Sequence, residues 1–127
     1  MSWSRAPVAA ALVDVVSTAM GATVTVFPEP PQTLNPPAII VGPATVTYSV
    51  AAFAVDEVDL TVMAVVPVGH LNELDSLARQ VHDAILADST LAGAVKAAWP
   101  IEQRNSRGVV IAGIDLSVVD VVVRVTT

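Results

Sequence analysis

The chain has no cysteine among its 127 residues. Disulfides, thiolate chemistry and cysteine-based zinc sites are therefore excluded, and the redox compartment leaves no mark. Aromatic residues are scarce, at 4 %, so a core must come from many small contacts rather than a few large rings. Basic residues are few. Six Lys and Arg stand against 12 Asp and Glu, for a net charge of −6, and a nucleic-acid reader needs a basic footprint that this balance lacks. No run of about 18 apolar residues is free of charge, so no membrane span is expected. The apolar stretch "APVAAALV" after Arg5 meets Asp14 too early to read as a signal-peptide core.

What is present is an apolar chain. Apolar residues make up 54 %, mostly Val and Ala, which excludes global disorder. The length suits one domain, residues 1–127, that buries about two-thirds of its unfolded surface. Charge is uneven. Residues 1–95 hold two basic and nine acidic side chains, whereas residues 96–127 hold four basic (Lys96, Arg104, Arg107, Arg124) and three acidic. Any positive patch belongs to the C-terminal third.

Residues 4–20 read as an amphipathic helix, with Val8, Leu12, Val15, Val16 and Ala19 on one side, Ser4 as cap, Pro7 in the first turn and Gly21 as stop. "TVTVF" (23–27) alternates as a strand does. Five prolines follow: Pro28, Pro30, Pro31, Pro36 and Pro37. Then comes "AIIV", a buried-strand run that Pro43 is expected to break. "TVTYSV" (45–50) alternates again, and 51–57 reads as a loop or hairpin tip. Val58 to Val66 is the clearest strand, with Val58, Leu60, Val62, Ala64 and Val66 on one face. Residues 71–88 read as a helix with the stripe Leu71, Leu74, Leu77, Ala78, Val81 and Ile85; Asp75 and Arg79 are spaced as an ion pair. "DSTLAGAV" (88–95) reads as an extra turn capped by Asp88 or Ser89.

Two strands, 97–103 and 109–113, are expected to flank a turn at "RNSRG" (104–108). In the last strand the apolar parity passes from Ile114, Leu116 and Val118 to Val119, Val121, Val123 and Val125. That slip predicts a bulge or turn near Val118. The expected architecture is α+β: a single antiparallel or mixed β-sheet of about four to six strands with two α-helices packed on one face. Leu12, Val16, Ile40, Val62, Leu74, Val81, Val121 and Val123 are the expected core.

Chemistry is sparse. His70 and His82 fit no metal spacing, and His82 reads as a helix-surface residue. No phosphate loop and no Gly-x-Ser-x-Gly motif is present. Asp56, Glu57 and Asp59 suit a solvated turn better than a cation site. Arg104, Asn105 and Arg107 can grip a carboxylate or phosphate, or form an ordinary polar tip. Trp99 suits a core edge or an interface. The reading is non-enzymatic, with no catalytic residue, metal or cofactor.

The order of features carries a resemblance across the whole chain. An N-terminal helix and strand lead to "PEPPQTLNPPAIIVGP" and then "VTYSV". "LDSLARQVHDAI", "STLAGAVKAAW" and a closing hairpin follow. Together they resemble the tail terminator proteins of long-tailed, siphovirus-like bacteriophages, and the Ala/Val-rich, lysine-poor composition suits an actinobacterial host. The resemblance implies a structural virion protein: a homo-oligomeric ring, usually a hexamer, at the head-proximal end of the tail. Such a ring caps the tail tube, ends its polymerisation and joins it to neck and head-completion proteins, after assembly in the host cytoplasm. DNA passes through the lumen without sequence-specific binding, which an acidic chain suits. The segment "SVAAFAV" (49–55) is more apolar than the family's polar loop, so the interface carried there does not transfer.

A proline-rich arm is already extended and loses little entropy on docking. It can reach a neighbouring subunit, cover a sheet edge, or simply join two strands. The expected interface residues are Pro28, Pro30, Pro31, Pro36, Pro37, Arg104, Asn105 and Arg107. The alternative reading is a neck or head-completion (head-tail connector) protein of the same virion; a small enzyme or a ligand-binding module is more distant.

Overall fold

The computed structural model describes residues 4–49 and 54–126, with the backbone alone at 49, 54–56 and 105–107. Helix α1 (Arg5–Met20) starts after an extended Ser4 whose hydroxyl makes no capping bond. Pro7 sits in the first turn, where its missing N–H costs nothing. The helix stops at Gly21, whose φ of 72° suits glycine and whose N–H bonds the Ser17 carbonyl. One 3₁₀ turn (Gly21–Thr23) leads to strand β1 (Thr25–Phe27). Strand β2 spans Ala38–Ser49 and β3 spans Ala54–Pro67. Helix α2 covers Leu71–Ala87, followed by β4 (Ala97–Ile111) and β5 (Ile114–Thr126).

The five strands form one mixed sheet in the order β1-β2-β3-β5-β4. Only β1 and β2 are parallel, pairing Thr25 with Ala38 and Phe27 with Ile40. Both helices pack on the face lined by Val58, Leu60, Val62, Ala64 and Val66, which are at most 1 % exposed. The expected α+β class with two helices on one sheet is what the chain forms. All eight expected core residues are buried. Ile40, however, points to the opposite face, where it joins Leu34, Ala38, Val65, Leu116 and Val118 in a second, smaller cluster.

Some boundaries differ from expectation: β1 begins at Thr25 rather than 23, β3 begins at Ala54 inside the expected loop 51–57, and three further differences have a clear physical reason. Pro43 does not end a strand: β2 runs through it, because the register slips between Val41 and Ala44 and a bulge tolerates proline. Gly42 fits there because a Cβ would come within 3.3 Å of the Thr61 carbonyl oxygen.

"RNSRG" is not a turn. Strand β4 continues through residues 104–108, with its irregularity absorbed between Arg104 and Arg107. The reversal lies at Ala112 and Gly113, whose φ values of 53° and 77° make the left-handed pair that a two-residue hairpin needs. Nor does β5 bulge near Val118. Its register with β3 is unbroken from Val125–Val58 to Leu116–Pro67. The parity switch arises because Leu116 and Val118 serve the smaller cluster and Val119, Val121, Val123 and Val125 the larger.

Smaller details sharpen the picture. In the α2 stripe Leu71 alone is open, at 55 %, because it opens the helix. Asp88 does cap the following turn, accepting the Ala92 N–H at 3.1 Å. Leu91, with φ 49°, is fully buried there. By length and composition Arg5–Thr23 does meet what a bilayer crossing requires, against the expectation from charged residues, though 28 % of it is buried in the protein.

Candidate functional site

The proline arm, residues 28–37, connects two parallel neighbours and so must cross the sheet. It passes over the face opposite the helices, where Leu34 is only 5 % exposed. Phe27 and Met63 pack around the same cluster. The arm therefore covers its own sheet. Pro28 and Pro30 are exposed and Pro31, Pro36 and Pro37 half-buried, which leaves one side of the arm open.

Arg5 fixes the start of the arm, a role that composition did not reveal. Its Nη2 donates to the Pro28 carbonyl at 2.7 Å, and it lies 2.9 and 3.1 Å from the Val41 and Gly42 carbonyls. Those two carbonyls belong to β2 just beyond its last partner in β1. An arginine after a helix start carries no sequence signal for such a contact.

Arg104, Asn105 and Arg107 share β4, an edge strand, and do not converge on a turn. Arg104 is exposed and lies 3.5 Å from Glu102, an ion pair worth little in water. In register it stands opposite Asp120, which is buried at 4 %. The side chains of Asn105 and Arg107 lie outside the described residues. Trp99 and Ile101 add exposed apolar surface to the same strand, at 37 % and 39 %.

The acidic group Asp56, Glu57 and Asp59, expected at a loop or hairpin tip over 51–57, is not a turn either: β3 already runs from Ala54, and the Asp56 side chain lies outside the described residues. Glu57 and Asp59 lie in β3 on the face away from the helices, and both pair with Arg124 of β5. The guanidinium grips Asp59 with two parallel bonds, Nε to Oδ1 at 3.0 Å and Nη2 to Oδ2 at 3.2 Å. The Asp59 hydrogen bond leads in raising the Arg124 pKa above its ordinary value, against the lowering effect of partial burial. Beyond Val58, β3 pairs with β2 alone. That hairpin stem thus runs about 13 Å past its last pairing with β5 at about 3.3 Å per residue, and Tyr48 on it is 66 % exposed. The tip, residues 50–53, lies outside the described residues.

No group of three or more potential metal ligands exists among the described residues. His82 is an exposed helix residue beside Asp83, at 3.0 Å, and His70 lies 3.4 Å from Glu73. Asp75, Arg79 and His82 line an open polar depression with Gln103 of β4. Their side chains converge on no nucleophile–base pair of the kind acyl transfer needs. The chain matches no protein-family model and no curated protein sequence. Two unlike flanks bound the sheet: the short β1 and the projecting β2–β3 stem on one side, β4 on the other.

Proposed function

We propose that the protein is a tail terminator of a siphovirus-like bacteriophage, a non-enzymatic virion protein that forms a ring on the head-proximal end of the tail tube. The observation that carries the reading is the sheet order β1-β2-β3-β5-β4 with unlike flanks. A contact between two different surfaces on opposite sides of one subunit is head-to-tail, and such contacts close into a ring when the rotation from copy to copy closes on itself. The order and spacing of sequence features supports the same reading. The ring's partners are copies of itself, the tail tube protein and the neck proteins, and its acidic balance leaves the passing DNA free to move.

The test is genetic and visual. Phage lacking this protein is expected to make tails of abnormal length that fail to join heads, and label on the protein should mark the head-proximal tail end. Tails of normal length would replace this reading with that of a neck or head-completion protein.

A further inference from the structure

We infer that the outer edge of β2, from Ala44 to Thr47, takes up an extended, basic segment of another protein as an added strand. The inference stands apart from the ring reading. The direction of the edge amides follows from one row across the sheet. Ala98 of β4 donates its N–H outward, to the Ser89 carbonyl at 2.6 Å. In an antiparallel ladder a residue turns both its backbone polar groups to the same side. Val125, opposite Ala98, therefore bonds toward β3, and Val58, opposite Val125, bonds back toward β5. Val46, opposite Val58, is left with its N–H and C=O pointing out of the sheet. Leu60 lies two residues beyond Val58, so Ala44 opposite it is turned the same way. No described residue bonds these outward groups: β1 stops pairing at Ile40, and no turn or loop bond reaches Ala44 or Val46.

Other stretches of edge carry guards. On β2, Arg5 takes the Val41 and Gly42 carbonyls, and Pro43 has no N–H to offer. On β4, Ser89 holds the Ala98 amide, Pro100 has none, and the ladder slips between Pro100 and Glu102 and again between Arg104 and Arg107. Prolines, charges and bulges are what keep an edge from pairing. Ala44 to Thr47 carries no proline and no charge, and the next irregularity comes only between Thr47 and Tyr48. Outward amides without such a guard are a template for strand addition.

Charge names the occupant. Thr45 and Thr47 stand in register with Asp59 and Glu57, on the face away from the helices. Those two carboxylates share one base, Arg124, so one negative charge is left over beside the edge. No Lys or Arg occurs from Ala6 to Ala78 to offset it. An added strand lies two strand spacings from β3, about 10 Å. Only the short, exposed Thr45 and Thr47 stand between, and the long stem of a lysine or arginine crosses such a gap. The segment that fits is extended and carries bases at alternate positions.

Amide exchange in the full chain tests this directly. Without a partner, Ala44 and Val46 should exchange about tenfold or more faster than Thr45 and Thr47, whose amides bond β3. The probe is an acetylated, amidated peptide of about eight residues alternating Val and Lys. At about 1 mM it should slow exchange at Ala44 and Val46 about tenfold or more. Raising salt from about 50 to about 500 mM should weaken its binding several-fold. A peptide with Glu in place of Lys should bind at least about tenfold more weakly. Two variants close the edge by different means. Val46→Pro removes an outward donor that the ladder does not use, and Thr45→Lys sets a base on the exposed face. Circular dichroism checks that each folds as the parent does, and either should lose the peptide.

Even exchange across residues 44–47 in the free chain, equal binding of the two peptides, or binding that survives Thr45→Lys would overturn the inference. Protection of Ala44 and Val46 that grows with protein concentration alone would also overturn it, and would make a second copy the occupant. The tail-length test fails independently of all of these.

Discussion

The two faces of the sheet are built from the same strands, yet they are covered differently. On one face, Leu60, Val62, Val121 and Val123 lie beneath two helices in a continuous cluster. On the other, the apolar cluster sits at the end reached by the arm, where Leu34 meets Ile40, Val65, Leu116 and Val118. Farther along that face Thr45, Asp59 and Arg124 take over in register. A helix shields a wide strip of sheet, whereas an irregular arm shields little more than its one buried leucine. Where cover ends, an ion pair that water can still reach replaces the apolar side chains.

The sharpest break comes from the helix-covered face. Leu60→Ala should cost about 3–5 kcal/mol, because the surrounding elements are held by both helices and cannot collapse into the void. Urea unfolding measures it, and a cost below about 1 kcal/mol would show that this face is not the principal core.

Leu34→Ala should cost less, about 1–3 kcal/mol, since the arm can settle onto the sheet and partly fill the space. Hydrogen exchange should show the loss of protection confined to β1 and the start of β2. A penalty equal to that of Leu60→Ala would erase the difference between the faces.

The smallest effect belongs to the polar end. Arg124→Gln should loosen the stem at Thr47 and Glu57, read as faster amide exchange there, with a smaller change in Tm than Leu34→Ala produces. The pH dependence follows from the raised Arg124 pKa. A cation whose folded pKa is raised contributes stability that is complete below its unfolded pKa and is lost only as pH climbs through the folded one. That window lies above the range in which proteins are handled. Between about pH 6 and pH 9, Arg124 therefore stays charged, and stem exchange corrected for the intrinsic rate should be flat over that interval.

Much of the chain was legible in its residues. Alternation from Val58 to Val66 and the helical stripe from Leu74 to Ile85 report local periodicity, and periodicity says which side of an element is apolar. Gly21 marked a helix end because a positive φ is a property of one residue. The flanking residues of the candidate site were legible as types, in the proline-rich arm and the basic C-terminal third. Their arrangement was not.

Local chemistry thus determined the elements and their apolar sides. Tertiary contacts decided the rest. A bulge depends on the partner strand, so Pro43 lies inside β2 and Arg104 to Gly108 inside β4, where single-residue preferences pointed to a break and a turn. The parity switch in β5 depends on what covers each face, and it needed the arm and the helices in place to read as two clusters instead of one bulge. Arg124 and Asp59 stand 65 positions apart, and no local pattern encodes a pair that exists only once β3 and β5 lie in register.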